Sequence, residues 1–244
     1  MKRDIVLEKG KPYHVIARAV EGRTIFPKRE ELDRFIVQMY AANYGTPPHM
    51  DRSGVAKASQ ALLYRKELPL FLSAEKRDPI VQMFSFVLVG NHYHLGLVGR
   101  FDNAISKYMQ RLNTGFAKYF NIKYHRTGSL FETRFRAVSI ESQRQLAVLL
   151  RYINIKNALD VYQPTWHNYK SISFSQSSKF LLEYPFSSLP EMFALRRSYL
   201  IDIDLVEQIS AGYYPKKKRE LLGELRDVIR ARGVLEKSKD VCLE

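Results

Sequence analysis

Between Pro79 and Val98 the chain carries two apolar, β-branched runs, Pro79 to Val89 and His92 to Val98, joined by Gly90-Asn91. That dipeptide closes a tight turn, so the two runs are antiparallel neighbours in a hairpin. A hairpin this apolar must be part of a larger sheet, and the segments on either side must supply the rest of it. Side chains alternate faces along a strand, so His92 and His94 point to one side while Tyr93, Leu95 and Leu97 point to the other. Two neutral imidazoles held at a fixed separation suit a divalent metal. The pattern is weak on its own, because many strands carry two histidines on a solvated face.

The remainder of the chain completes the sheet. Tyr13 to Val20 reads as a strand, leaving into a turn at Glu21-Gly22-Arg23. From about Lys28 to Tyr44, Leu32, Phe35, Ile36, Met39 and Tyr40 recur at helical spacing, and Gly45-Thr46-Pro47-Pro48 stops the helix. Residues 46–78 read as an exposed, basic insertion with a short helix over Ala56 to Lys66. After the hairpin, Asp102 or Asn103 is placed to cap a long helix with Ile105, Tyr108, Met109, Leu112, Phe116, Tyr119 and Phe120 on one stripe. Arg126-Thr127-Gly128 ends it, and Ser129 to Ile140 is a fourth strand. Strand, helix, hairpin, helix, strand is the order of a ferredoxin-like split βαβ sandwich, an α+β fold with an antiparallel sheet.

A further helix begins near Ser142, with Leu146, Leu149, Leu150 and Ile153 turned inward. Tyr152 falls about 100° off that stripe, with Gln145, Val148 and Lys156, where its hydroxyl can reach a polar site. Tyr119 lies within its own apolar stripe and reads as core, which leaves Tyr124 as a competing tyrosine.

Charge narrows the partner. Lys and Arg number 39 against 25 Asp and Glu, a net charge of +14, and the pI is near 9.8. Such a surface attracts polyanions, nucleic acid above all. Arg100, Lys107, Arg111, Lys118, Lys123, Arg126, Arg134 and Arg136 face only Asp102 and Glu132 in that part of the chain, and Tyr108, Tyr124, Phe131 and Phe135 are interleaved with them. Cations that follow a phosphate backbone and rings that stack unpaired bases are what single-stranded nucleic acid requires, although Tyr108 and Phe135 read better as core. His125 reads as a phosphate contact or a surface residue and His14 as a satisfied core histidine; His49 and His167 carry no readable role. The single cysteine, Cys242, forms no internal disulfide, and neither a signal peptide nor an apolar span of some 18 residues is visible, so a cytoplasmic, nucleoid-associated protein is expected.

These motifs, in order, carry a resemblance. Gly90-Asn91-His92-Tyr93-His94-Leu95, Ile105 to Thr114, Tyr119-Phe120-Asn121, Arg126 to Phe135 and Leu150-Arg151-Tyr152-Ile153-Asn154 are similar to the single-tyrosine HUH transposases, and within them to the REP-associated tyrosine transposases of prokaryotes. The similarity runs from about Tyr13 to Ala194. It implies that His92 and His94 are metal ligands for Mg²⁺ or Mn²⁺. It implies that Tyr152 is the nucleophile of a transposase that cuts and rejoins single-stranded, hairpin-containing DNA through a 5′-phosphotyrosine. It is compatible with a monomer or a homodimer. The family places Gln or Asn four residues after the nucleophile; here that residue is Lys156, which has no lone pair to donate while protonated and could instead pair with the scissile phosphate. The alternative is a catalytically decayed protein that only binds hairpin or single-stranded nucleic acid. Residues 1–160 form the expected catalytic core, 161–200 an extension packed on it, and 201–244 a basic helical appendage, with helices over Ile203 to Ile209 and Lys216 to Val234. Ser171 to Ser178 reads as extended, Lys179 to Tyr184 as a short helix and Phe186 to Pro190 as loop.

Overall fold

A computed structural model of the chain describes residues 6–45, 54–73, 78–132, 134–164, 166, 173–212, 214 and 217–231. Four strands, β1 (Pro12–Arg18), β2 (Val81–Val89), β3 (His92–Gly99) and β4 (Arg136–Ser139), form one antiparallel sheet in the order β2-β3-β1-β4. Helices α1 (Arg29–Tyr44) and α4 (Ala104–Lys123) make the two crossovers, which is the split βαβ order read from the sequence.

Both faces of the sheet are covered, and this is why β1 and β3 are near-continuous apolar runs rather than alternating ones. On one face Tyr93 sits 4.7 Å from Phe35 of α1 and donates its hydroxyl to Asn113 of α4, while Phe35 and Phe116 lie 4.9 Å apart, ring to ring. Burial pushes the Tyr93 and Tyr108 hydroxyls well above the ordinary phenol range, so both stay neutral packing groups. The opposite face, which carries His92 and His94, is covered by α5 (Gln143–Arg151), a π-helical turn (Tyr152–Lys156), α6 (Asn157–Tyr162) and the segment from Tyr184 to Asp202.

That last segment also closes the free edge of β2. Leu88 N–H donates to Phe186 O, Ser188 N–H to Phe86 O and Asp202 N–H to Met83 O, and the Tyr184 hydroxyl donates to Leu88 O at 2.7 Å. A bare edge strand this apolar would pair with another chain, so the cover replaces that liability with internal hydrogen bonds.

Several local expectations are corrected. The short helix of the insertion is present as α2 (Val55–Leu63), but it is not exposed: Val55, Ala58, Ser59, Leu62 and Leu63 are buried, and the Ser59 hydroxyl donates to Asp33 of α1 at 2.6 Å. Nine residues are too few for their apolar face to be recognised by period alone. A single turn, α3 (Leu70–Ser73), follows; 46–53, with His49, and 74–77 lie outside the described residues. Among the described residues of the expected fourth strand, Arg136–Ser139 forms the regular ladder with β1, while Glu132 N–H donates to Arg18 O, Ile140 N–H to Pro12 O, and Phe131 bridges to Ala19. Neither Asp102 nor Asn103 caps α4; their side chains accept from the N–H groups of Lys9 and Leu7 instead and tie the N-terminal segment down. Helix α7 (Phe174–Glu183) starts earlier than expected, because Ser173 caps it through Gln176 N–H. The expected loop over Phe186 to Pro190 ends in a helical turn, α8 (Leu189–Met192). Helices α9 (Ile203–Ile209) and α10 (Lys218–Ala231) follow; His167 and Cys242 lie outside the described residues. Among the described residues no helix is long and apolar enough to cross a membrane.

Candidate active site

Strand β3 holds His92 and His94 with ring centroids 4.9 Å apart, His94 fully buried and His92 nearly so. Each ring is gripped through Nδ1. His92 Nδ1 lies 2.6 Å from Asn91 Oδ1, and the same amide donates through Nδ2 to Gly22 O at 3.3 Å. An amide oxygen only accepts, so His92 Nδ1 carries the proton and its Nε2 presents a lone pair. His94 Nδ1 lies 2.9 Å from Nε2 of His14 on β1, the two rings nearly parallel at 16°. His14 is thus a buried, satisfied histidine as the sequence reading has it, and its partner is His94. Burial, reinforced by the electrostatic influence of His14, His92, Lys156 and Arg18, holds the His94 pKa well below the usual imidazole range. Neutral imidazole is the metal-binding form.

Tyr152 meets this cluster edge-on, 5.4 Å from the His94 ring and 6.1 Å from His14. Its position corrects the helical-wheel reading: the side chain is 1% exposed, packed inward and not on an open flank. The reason is the backbone. Helix α5 ends at Arg151 and the chain then takes a π-helical turn, in which i→i+5 bonds replace i→i+4 bonds, so a 100° wheel fails from residue 152 onward.

The same turn moves the polar residues after Tyr152. The Asn157 backbone N–H and Nδ2 both donate to Tyr152 O, which brings residue 157 over residue 152. Asn157 is fully buried, and its Oδ1 has no hydrogen-bond partner among the described residues. Asn154 turns to β2, donating to the Ser85 hydroxyl and accepting from that of Ser188, and so locks the π turn to the sheet. Lys156 lies 5.2 Å over the Tyr152 ring and 3.2 Å from Asp160.

The eight other cations singled out in the sequence divide between two regions. Lys107, Arg111, Lys118 and Lys123 are on α4, which packs on the Tyr93 face and not on the histidine face. Lys123 bridges Glu30 and the fully buried Glu31, Arg111 donates to Ala42 O of α1, and Arg126 donates to Asn121 at 2.8 Å. Arg100 follows β3, where its N–H donates to Ile80 O. Arg134 and Arg136, by contrast, line a recess with Ile16, Glu132 and Arg18. Ile16, Arg18 and Arg136 share a sheet face with His92 and His94, because Arg18 is registered on His92 and Ile16 on both His94 and Arg136. The sequence reading missed Arg18, Asn91 and the pairing of His14 with His94, and it set Asn157 aside because a helical wheel rotates it about a further 100° beyond Lys156. Of those missed, only Asn91 had a visible signal, sitting beside His92, and it was read as a turn residue.

The donor set fits a divalent ion. Two neutral imidazoles, at least one with its Nε2 lone pair fixed, are ligands that Mn²⁺ accepts, and a buried amide oxygen such as that of Asn157 is a donor type that Mn²⁺ or Mg²⁺ also accepts. Among the described residues no group of three or more His, Cys, Asp or Glu forms a metal site.

Residues 64–156, from the end of α2 to the last residue of the π turn, match the family model described as "Transposase IS200 like". A solved structure described as "Structure of the REP associates tyrosine transposase bound to a REP hairpin" is similar at 14% identity, covering 84% of this chain and 89% of that chain with a TM-score of 0.44. No curated protein matches the sequence.

Proposed function

We propose, from the match of residues 64–156 to the "Transposase IS200 like" family model, that this chain cuts and rejoins single-stranded, hairpin-containing DNA with Tyr152 as nucleophile. The observation that carries the reading is the contact of the buried Tyr152 ring with His94 on the same sheet face as His92, inside the matched segment. In the first step the Tyr152 oxygen forms a bond to a backbone phosphorus while the bond to the 3′-oxygen breaks. The phenol proton is lost and the leaving 3′-oxygen takes one up, so a 5′-phosphotyrosine and a free 3′-hydroxyl result. The covalent link retains the phosphodiester energy, and a second 3′-hydroxyl can reverse the step without ATP.

Within that scheme each side chain has a task. Lys156 sits over the phenol ring, where its charge offsets the phenolate that develops. Arg18, Arg134 and Arg136 line the approach on the histidine face and hold the DNA backbone. His92 and His94 through Nε2, with Asn157 through Oδ1, would hold a divalent ion. Such an ion neutralises charge on the non-bridging phosphate oxygens. Asn157 then takes the ligand role that the family gives to the fourth residue after the nucleophile, which Lys156 occupies here.

The competing reading is a protein that binds hairpins without cutting them, and the engagement of Lys156 with Asp160 favours it. A gel assay for covalent adducts separates the two. Labelled single-stranded hairpins with flanking sequence are incubated with Mn²⁺, Mg²⁺ or EDTA and with wild type, Tyr152→Phe or His92→Ala/His94→Ala. A metal-dependent adduct lost in both variants is expected. Tight binding with no adduct on any hairpin would leave the binding reading in place.

A further inference from the structure

His14 and His94 are both fully buried, and the 2.9 Å contact between His14 Nε2 and His94 Nδ1 has room for one proton. The register brings them together. On β1, His14 is opposite Gly96 and Ile16 is opposite His94, so His14 lies diagonally across from His94 on the same face. Gly96 puts no side chain between them, and a Cβ there would collide with the Phe84 ring.

The proton can sit in two ways. If His14 donates, His94 carries its own hydrogen on Nε2. That hydrogen would be a buried donor, because His94 Nε2 has no hydrogen-bond partner among the described residues. An unsatisfied buried N–H is costly, whereas an imidazole lone pair aimed into a polar site is ready to receive a cation. If His94 donates from Nδ1, the orphan disappears and Nε2 is left as a lone pair. At His92 the contact with Asn91 Oδ1 likewise places the proton on Nδ1.

We propose that His14 is a positioning residue: its Nε2 accepts the Nδ1–H of His94, fixing the tautomer and ring plane in which His94 Nε2 faces the site as a metal-ready lone pair. The part concerning metal rests on the transferase reading above; the tautomer does not. An imidazole acceptor, unlike a carboxylate, adds no negative charge behind the ligand. Loss of an acceptor behind a ligating histidine costs about 10–100-fold in metal affinity.

The first test is the proton position in metal-free wild type labelled with ¹⁵N-histidine, with His94→Ala and His14→Gln used to assign the rings. His94 protonated on Nδ1 and bare on Nε2, with His14 bare on Nε2, is expected; His94 protonated on Nε2 would overturn the proposal. The second test is Mn²⁺ affinity, followed by loss of the free-ion EPR signal. His14→Phe should bind about 10–100-fold more weakly than wild type, while His14→Gln, whose amide oxygen can accept the same hydrogen, should stay close to wild type. Equal thermal midpoints for His14→Gln and wild type guard against a merely structural effect. Wild-type affinity in a folded His14→Phe would overturn the proposal. Binding no tighter in wild type than in His92→Ala/His94→Ala would sink the metal reading instead, and the proton position would still decide the tautomer.

Discussion

In the proposed reaction, environment and not residue type separates Tyr152 from Tyr124. Tyr124 follows α4, donates its hydroxyl to the buried Glu31 at 2.8 Å and is pushed up to about 12, by burial first and by Glu31 second. It is tied to the α1 side of the sheet and is hard to ionise. Tyr124→Phe should therefore leave adduct formation at the wild-type rate in the gel assay, where Tyr152→Phe should abolish it. Asn157 carries the second prediction at this scale. If its Oδ1 is a ligand, Asn157→Ala should raise the Mn²⁺ needed for half-maximal adduct by about tenfold or more, and an unchanged Mn²⁺ dependence would remove it from the site. His92, His94 and Tyr152 were legible in the sequence because strand alternation and motif order point to them. Asn157 was not, because its position depends on a switch from α to π hydrogen bonding that a helical wheel does not contain. Nor was the link between His14 and His94, 80 residues apart, which only strand register supplies.

At the scale of elements, sheet, crossovers and hairpin were legible, since apolar period and turn residues report them directly. What was not legible was which face each cation would occupy. The run from Arg100 to Arg136 looked like one basic surface, yet α4 packs on the Tyr93 face while Arg134, Arg136 and Arg18 stand on the histidine side. A DNA strand that reaches Tyr152 should meet the second group. Replacing Arg134 and Arg136 by Ala should weaken hairpin binding and reduce the slope of log affinity against log salt by about one for each phosphate that is no longer neutralised. Replacing Lys107 and Lys118 should leave that slope unchanged. Fluorescence anisotropy titrations across a salt series read both, and the reverse ranking would place the DNA on α4.

For the molecule as a whole, the sheet has a structural side and a chemical side. On the first, α1 and α4 bury aromatic rings; on the second, α5 to α6 and the segment to Asp202 enclose the histidines. Enclosure has a consequence for stability. Because burial and the electrostatic influence of its neighbours hold the His94 pKa below the usual value, the unfolded chain binds more protons than the folded one in mild acid. Stability is complete above the unfolded histidine value of about 6.5 and falls as pH drops through it. Calorimetry without metal should show the thermal midpoint falling between about pH 7 and about pH 5, and less steeply in His94→Gln. A midpoint flat across that range would contradict the buried, neutral His94. The central claim, that Tyr152 takes the DNA, is tested most directly by mass spectrometry of the adduct after nuclease trimming and trypsin digestion. Cleavage after Arg151 and Lys156 releases Tyr152-Ile153-Asn154-Ile155-Lys156. That peptide should carry a nucleotide 5′-phosphate on the tyrosine oxygen, and the same mass on a Tyr124 peptide, or on none, would contradict the account.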